Sequence, residues 1–497
     1  MNILLLAMPD VDGGFPPSAM LPPNLGLCSL AGNLDSLHKA TIADLVLKRN
    51  DVKAALAEAL AVSRPDFVGL SALTFQYDSA LRTAKLIKSL HPRMPIALGG
   101  YHATTMYREI ADGPDSAYFD LIFRGESDLS FNEALHAYES GRGMSAVRGV
   151  SFKRKGRFVH NPPRPLEDLR SIRLPDRRHR LWKGHQVIGL PFDVAETSRG
   201  CLMQCNFCSI RNMYGRSFRK FEMSRIMQDI ANARDLGTRA LVFTDDNITL
   251  DIGHLDRVCQ AIIKADFKDI YFGVQASPKG LAASPRTVDL MARAGFKFVF
   301  LGIENKFSQN LRKLKKGHRP DDSRTAVRLL RDHGITVSGG LVIGHPDDDS
   351  RNIEENFAYL KELQVDFAAV QLLVPYPKTE IREELKKGGF LVNEDNYKAY
   401  NGRRANVMTK HLSRDELSYL KYKFTKEYSK PRTSHQLKAL ASNFRTLYRV
   451  FGLGAFSRLA KLAVRAFSEQ LRNAMLTERE RYAKYVSTEV ALNRFNI

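Results

Sequence analysis

The sequence predicts two consecutive α/β units followed by a basic helical tail. Three observations carry that expectation. Short apolar runs alternate with amphipathic stretches from residue 3 to about residue 400, the pattern of strands alternating with helices around parallel sheets. Three of the five cysteines fall within one eight-residue stretch, Cys201, Cys205 and Cys208, at the start of the second unit. Beyond residue 400 the composition turns basic and the apolar residues take helical spacing.

The totals exclude several classes. The chain has 497 residues, enough for two or three domains, and its 44% hydrophobic and 26% charged content is ordinary for a soluble globular protein. Five cysteines in that length do not make a disulfide framework, and Cys28 and Cys259 read as isolated buried thiols. Residues 1–9 lack the basic lead of a signal peptide, and no run approaches the ~18 to 20 apolar residues of a membrane span. The expectation is a cytoplasmic protein. The net charge of +21 suits an anionic substrate, nucleic acid or an anionic membrane surface, and does not choose among them.

In the first unit, strands are expected at residues 3–7, 40–45, 67–71, 95–100 and 121–126, with helices at 25–38, 52–63 and 77–90. Ligands of open α/β sheets sit beyond the carboxyl ends of the strands. The residues there are Leu73-Thr74-Phe75, Gly99-Gly100-Tyr101-His102 and Gly125-Glu126-Ser127-Asp128. Glycine at these points lets backbone approach a ligand closely. Residues 150–160 read as a hairpin, and the proline-rich passage through Pro162-Pro163-Arg164-Pro165 and Leu174-Pro175 reads as a connector, with a basic run at 177–180.

In the second unit, six strands are expected near 193–197, 240–244, 271–275, 298–302, 336–343 and 367–373. Six parallel units are too few to close an eight-fold barrel, so an open partial barrel is expected, with its working groups at the carboxyl ends of the strands. Those ends carry Asp245-Asp246, Gln275, Glu304, Gly344-His345 and Pro375-Tyr376-Pro377.

The cysteines stand as C-x3-C-x2-C within Thr197-Ser198-Arg199-Gly200-Cys201-Leu202-Met203-Gln204-Cys205-Asn206-Phe207-Cys208. A closed zinc site takes four ligands, and no His or Cys lies between Ser209 and Lys220. A disulfide plus a stray thiol would suit a secreted chain. Three thiolates can also hold a [4Fe–4S] cluster with one iron open to a small chelating molecule.

This loop, with Phe207 before the last cysteine and Thr-Ser-Arg-Gly ahead of the first, resembles that of the radical S-adenosylmethionine (SAM) enzymes. Leu202 departs from the Pro common there. The resemblance implies that Cys201, Cys205 and Cys208 hold the cluster. It also implies that SAM fills the open iron, beside Phe207, Gln275, Asp245 and Asp246 (amino end) and Glu304 (ribose). Tyr376 is the candidate substrate-facing catalytic residue.

Leu25-Gly26-Leu27, Gly99-Gly100-x-His102-x-Thr104 and Gly125-Glu126 resemble the cobalamin-binding domain of one radical SAM subgroup, although Ser127-Asp128 stands where many relatives have Gly-Glu. The family then implies an N-terminal Rossmann-like (flavodoxin-like) cobalamin-binding domain at 1–145, a linker at 146–190, a partial (β/α)6 radical SAM barrel at 191–400 and a helical C-terminal region at 401–497. Cobalamin would lie near Thr74, Gly99, Gly100, His102, Gly125 and Glu126. The Asp-x-His-x-x-Gly motif that brings a histidine to cobalt is absent.

The resemblance extends to about residue 400 and implies a cobalamin-dependent methyltransferase. One SAM would methylate cobalamin, and a second would yield the 5′-deoxyadenosyl radical that opens an unactivated carbon to methylation. An external flavodoxin- or ferredoxin-type donor would supply electrons. The alternative with the same cofactors is a cyclase or ring-rearranging enzyme. The alternative of another class is a non-catalytic cobalamin or iron–sulfur sensor binding nucleic acid; no RNA-binding signature accompanies the charge, and no nucleic-acid partner is expected. Residues 430–475 carry nine Lys or Arg and one acidic residue, Glu469, with Leu437, Leu440, Phe444, Leu447 and Phe451 at helical spacing. Such a tail reads as helices packed on the protein. Its second reading is peripheral contact with an anionic membrane, which a lipid substrate would favour.

Overall fold

The computed structural model describes residues 1–10 and 20–428, together with Glu480, Tyr482 and Ala483. The basic segment expected to be helical, residues 430–475, lies outside the described residues. In chain order the strands are β1 (Asn2–Ala7), β2 (Met20–Leu21), β3 (Lys39–Asp44), β4 (Phe67–Ser71), β5 (Ile96–Gly99), β6 (Leu121–Phe123), β7 (Val150–Arg154), β8 (Arg157–His160), β9 (Gln186–Val187), β10 (Leu190–Ala195), β11 (Ser198–Arg199), β12 (Arg219–Lys220), β13 (Ala240–Phe243), β14 (Tyr271–Ala276), β15 (Phe296–Glu304), β16 (Thr336–Ile343) and β17 (Phe367–Leu372).

The first sheet runs β3-β1-β4-β5-β6-β7-β8. Its first five strands are parallel, and the order doubles back between β1 and β4, the switch point at which such sheets open a crevice for ligands. Ile3, Leu4, Leu5 and Leu6 are all fully buried, because helices cover both faces and no side of β1 meets water. The hairpin β7–β8 pairs antiparallel with β6. It is therefore the edge of this sheet, and the irregular connector begins only after it.

The second sheet runs β17-β16-β15-β14-β13-β10-β9-β2. The six expected parallel strands are present, and the linear order leaves the barrel open. Two short antiparallel strands extend its edge, and β2 comes from the first unit. Phe243, Phe272 and Phe296 pack ring to ring at 5.6 to 5.9 Å between the sheet and its helices.

The helix Leu25–Asn33 begins where the Asn24 side chain accepts from Leu27 N, and it stops five residues short of the expected residue 38. The Asn33 amide donates to Ser29 O and accepts from Arg173 N, so the connector crosses the helix end and turns the chain toward β3. Among the described residues no helix is long and apolar enough to cross a membrane.

Candidate active site at the junction of the two sheets

The cysteine loop is closed at its base by a two-stranded clip. Ser198 pairs with Lys220 and Arg199 with Arg219, so residues 200–218 form one excursion from the end of β10. Gly200 sits at φ +90, and a Cβ there would fall 2.5 Å from Ser217 O, so only glycine fits. The two carboxylates after β13 anchor the loop. Asp245, 1% exposed, accepts from Thr197 N at 3.0 Å, from Thr197 Oγ1 at 2.6 Å and from Ser198 Oγ. Asp246, only partly buried, accepts from Gly200 N at 2.8 Å. Both oxygens of Asp245 are thus engaged beneath the loop. This does not match its expected place at the amino end of SAM and makes Asp245 a positioning residue.

The loop is also fastened to the barrel. Asn206 Nδ2 donates to Lys313 O at 3.1 Å, and Asn206 O accepts from Ile381 N at 3.1 Å. All five cysteines are free thiols. Burial raises the Cys201, Cys205 and Cys208 thiols, Cys208 to about 12, while Lys316 works the other way on each. The Lys316 ammonium pairs with Glu304 at 2.7 Å and lies 5.9 Å from the Phe207 ring centre. Burial opposes that charge, and Glu304 and the cysteines outweigh it, so the pKa rises. Glu304 is held at φ +63 by a register shift between β15 and β16, which turns its carboxylate toward the lysine. Gln275 is exposed at the carboxyl end of β14. Tyr376 is partly buried, in a loop that Asn212 holds by donating to Pro377 O at 3.4 Å and Lys378 O at 3.3 Å. Its ring lies 6.5 Å from that of Tyr400.

Three thiols beside a buried cation fit an anionic iron–sulfur cluster.

The first sheet turns its strand ends to the same place. Gly100 sits at φ +95, where a Cβ would fall 2.6 Å from Ala72 O, and Gly125 at φ +75 has no atom within 4 Å of the corresponding point. Thr104 Oγ1 accepts from Gly125 N at 3.0 Å and donates to Gly100 O at 2.9 Å, tying the two glycine turns together. Thr74 is buried at the end of β4. Thr104 Oγ1 lies 3.9 Å from Met213 Sδ, on the helix Ile210–Tyr214 that follows the last cysteine. Open space over Gly125 beside backbone turns fits a large flat cofactor at these strand ends.

Two expected cofactor contacts are otherwise occupied. His102 is 1% exposed, with its ring 4.3 Å from Tyr77 and 4.9 Å from Tyr397, and burial pulls its pKa down to about 3. It is a neutral packing residue. The Glu126 carboxylate accepts from Arg219 at 2.7 and 2.9 Å, from Arg199 at 3.2 Å and from Glu167 N at 3.1 Å. It is a clasp to the second sheet. Arg199 also meets Asp128 at 2.8 Å and Glu196 at 2.7 Å. Burial opposes the Arg199 charge, and Glu196 and Asp128 outweigh it, holding the guanidinium well above its ordinary pKa. Sequence reasoning missed Lys316 and this arginine clasp. The available signal was the repeated pairing of Arg and acidic residues beside the glycine turns.

Residues 195–387 match the family model of the radical SAM superfamily, and residues 18–135 match that of the B12 binding domain. The chain belongs to the cobalamin-dependent radical SAM enzymes. An uncharacterised methyltransferase of Pyrococcus horikoshii is 27% identical to this radical SAM enzyme over 84% of this chain and 90% of its own. The anaerobic magnesium-protoporphyrin IX monomethyl ester cyclase of Rubrivivax gelatinosus is 24% identical over 84% of this chain and 77% of its own. The radical SAM methyltransferase TsrM of Kitasatospora setae, solved with cobalamin and a [4Fe–4S] cluster, superposes with a TM-score of 0.64 at 18% identity, covering 78% of this chain and 75% of its own. That last likeness is one of fold.

Proposed function

We propose that this enzyme transfers a methyl group to an unactivated carbon of a small organic or lipid substrate. One observation carries the reading: the B12-binding unit presents its glycine turns directly to the segment after the cluster cysteines, where Thr104, which ties Gly100 to Gly125, lies 3.9 Å from Met213 Sδ. When bound, the cluster supplies the electron that cleaves SAM to the 5′-deoxyadenosyl radical, and cobalamin supplies the methyl group. Cys201, Cys205 and Cys208 hold the cluster. Asp246, Phe207, Gln275 and Glu304 line the SAM pocket. Thr74 and the backbone of Gly99, Gly100 and Gly125 floor the cobalamin site, and Tyr376 faces the substrate. Residues 1–160 form the cofactor-binding unit and 186–400 the radical unit. The electron donor is an external flavodoxin- or ferredoxin-type protein, and the compartment is the reducing cytoplasm.

The second reading is radical cyclisation with the same cofactors, favoured by the cyclase relatives that match over four-fifths of the chain.

The test is anaerobic. Protein reconstituted with iron, sulfide and hydroxocobalamin is given SAM and a strong reductant. We expect 5′-deoxyadenosine and S-adenosylhomocysteine, with cobalamin retained through gel filtration. Deoxyadenosine without S-adenosylhomocysteine, cobalamin still bound, would favour cyclisation. Deoxyadenosine from a Cys205→Ala variant equal to that from wild type would sink both.

A further inference from the structure

The amino-terminal edge of the first sheet, opposite the cofactor face, holds a second group of metal-binding side chains. His38 immediately precedes β3, while His136 and Glu139 lie three residues apart on one face of the helix Ser130–Glu139. One ligand atom from each lies within 4.8 Å of the others. For three atoms so spaced there is a point within about 2.8 Å of all of them, against ~2.0 to 2.2 Å for zinc bonds to imidazole and carboxylate. Rotation of the surface Glu139 side chain narrows that gap while His136 keeps its Asp35 contact.

Three features mark the place as built for a cation. The His38 side chain has no exposed surface, and its Nδ1 lies 3.8 Å from Glu139 Oε1. His136 Nε2 lies 2.5 Å from Asp35 Oδ2, the carboxylate–imidazole pairing that orients metal-binding histidines. Asp35 is itself fixed by Asn132 Nδ2 at 3.0 Å. The Met1 ammonium already lies among these groups, 3.3 Å from Glu139 Oε1 and 3.5 Å from His38 Nδ1. Two imidazoles and a carboxylate are the donor set of a borderline cation, zinc above calcium or magnesium.

We propose that His38, His136 and Glu139 form a divalent transition-metal site, zinc by preference, that pins the helix Ser130–Glu139 to the start of β3. The metal displaces the Met1 ammonium, and its fourth position is open to water.

The experiment uses the full chain with its iron–sulfur cluster loaded, because vacant cluster thiolates also take zinc. Anaerobic dialysis against micromolar Zn²⁺ is followed by metal counting, and the Co²⁺ spectrum is recorded in parallel. We expect one zinc per chain beyond the iron. Its affinity should fall at least about ten-fold in both His136→Ala and Glu139→Gln, surface changes that leave the core intact. Bound Co²⁺ should show weak ligand-field bands without sulfur charge transfer. Absence of bound zinc, equal zinc in wild type and both variants, or a sulfur charge-transfer band would overturn the proposal.

Discussion

Arg199 Nη1, two residues ahead of Cys201, donates to Asp128 Oδ2 at 2.8 Å and so locks the cysteine loop to the end of the first sheet. The same guanidinium meets Glu126 and Glu196, and both Arg199 and Asp128 side chains are 8% exposed. A buried charge network of this kind resists dismantling from one side, because each remaining carboxylate loses its partner in a medium where water cannot replace it.

Arg199→Ala is therefore expected to destabilise the protein by about 3 to 5 kcal/mol, whereas Arg199→Lys, which keeps the charge and loses the fork, should cost about 1 to 2 kcal/mol. Urea unfolding of the two variants checks this. Equal, small losses would show that the clasp is not a coupled network.

Asp245 holds the loop from beneath. Asp245→Asn places an amide N–H against the Thr197 and Ser198 donors, leaving at least one buried donor unsatisfied at about 1 to 3 kcal/mol. The iron retained after reconstitution should fall, while SAM affinity per intact cluster stays within about two-fold. A large loss of SAM affinity at full iron content would return Asp245 to the SAM pocket.

Lys316 lowers the pKa of all three cysteine thiols, so its charge favours electron-rich sulfur and, in the same way, the reduced cluster. Lys316→Gln should shift the cluster midpoint potential to more negative values at unchanged iron content. Redox titration followed by electron paramagnetic resonance measures it, and a positive shift would contradict the electrostatics.

His102 sets an acid limit. Its folded pKa of about 3 lies below the ordinary 6.5, so the unfolded chain takes up a proton that the folded one refuses. The stability associated with neutral His102 is complete above pH 6.5 and is lost as pH falls toward 3. Between pH 6.5 and pH 5 the loss is about 2 kcal/mol. His102→Phe should remove that part of the pH dependence in denaturant unfolding at pH 7 and pH 5. His185 and His254, both drawn down to about 4 by burial, act in the same direction and leave a residual slope.

Much of this protein was legible in order along the chain. Strand and helix positions follow from apolar periodicity, which is a local property. The cysteine loop was legible because its three cysteines fall within eight consecutive residues and its flanks are contiguous. The glycine turns at Gly99, Gly100 and Gly125 were legible because strand ends can be counted. What only the tertiary structure decided were the partners of charged side chains. Asp245 and Glu126 are the right residue type to meet a ligand, and the sequence by itself pointed them there. Folding places them under Thr197 and against Arg199 and Arg219 instead, at sequence separations of 48, 73 and 93 residues. His38 and His136, 98 positions apart, meet only because the helix Ser130–Glu139 packs across the start of β3. A side chain's chemistry is written in its own residue; whether that chemistry is spent on a neighbour or left for a ligand depends on contacts that no local pattern encodes.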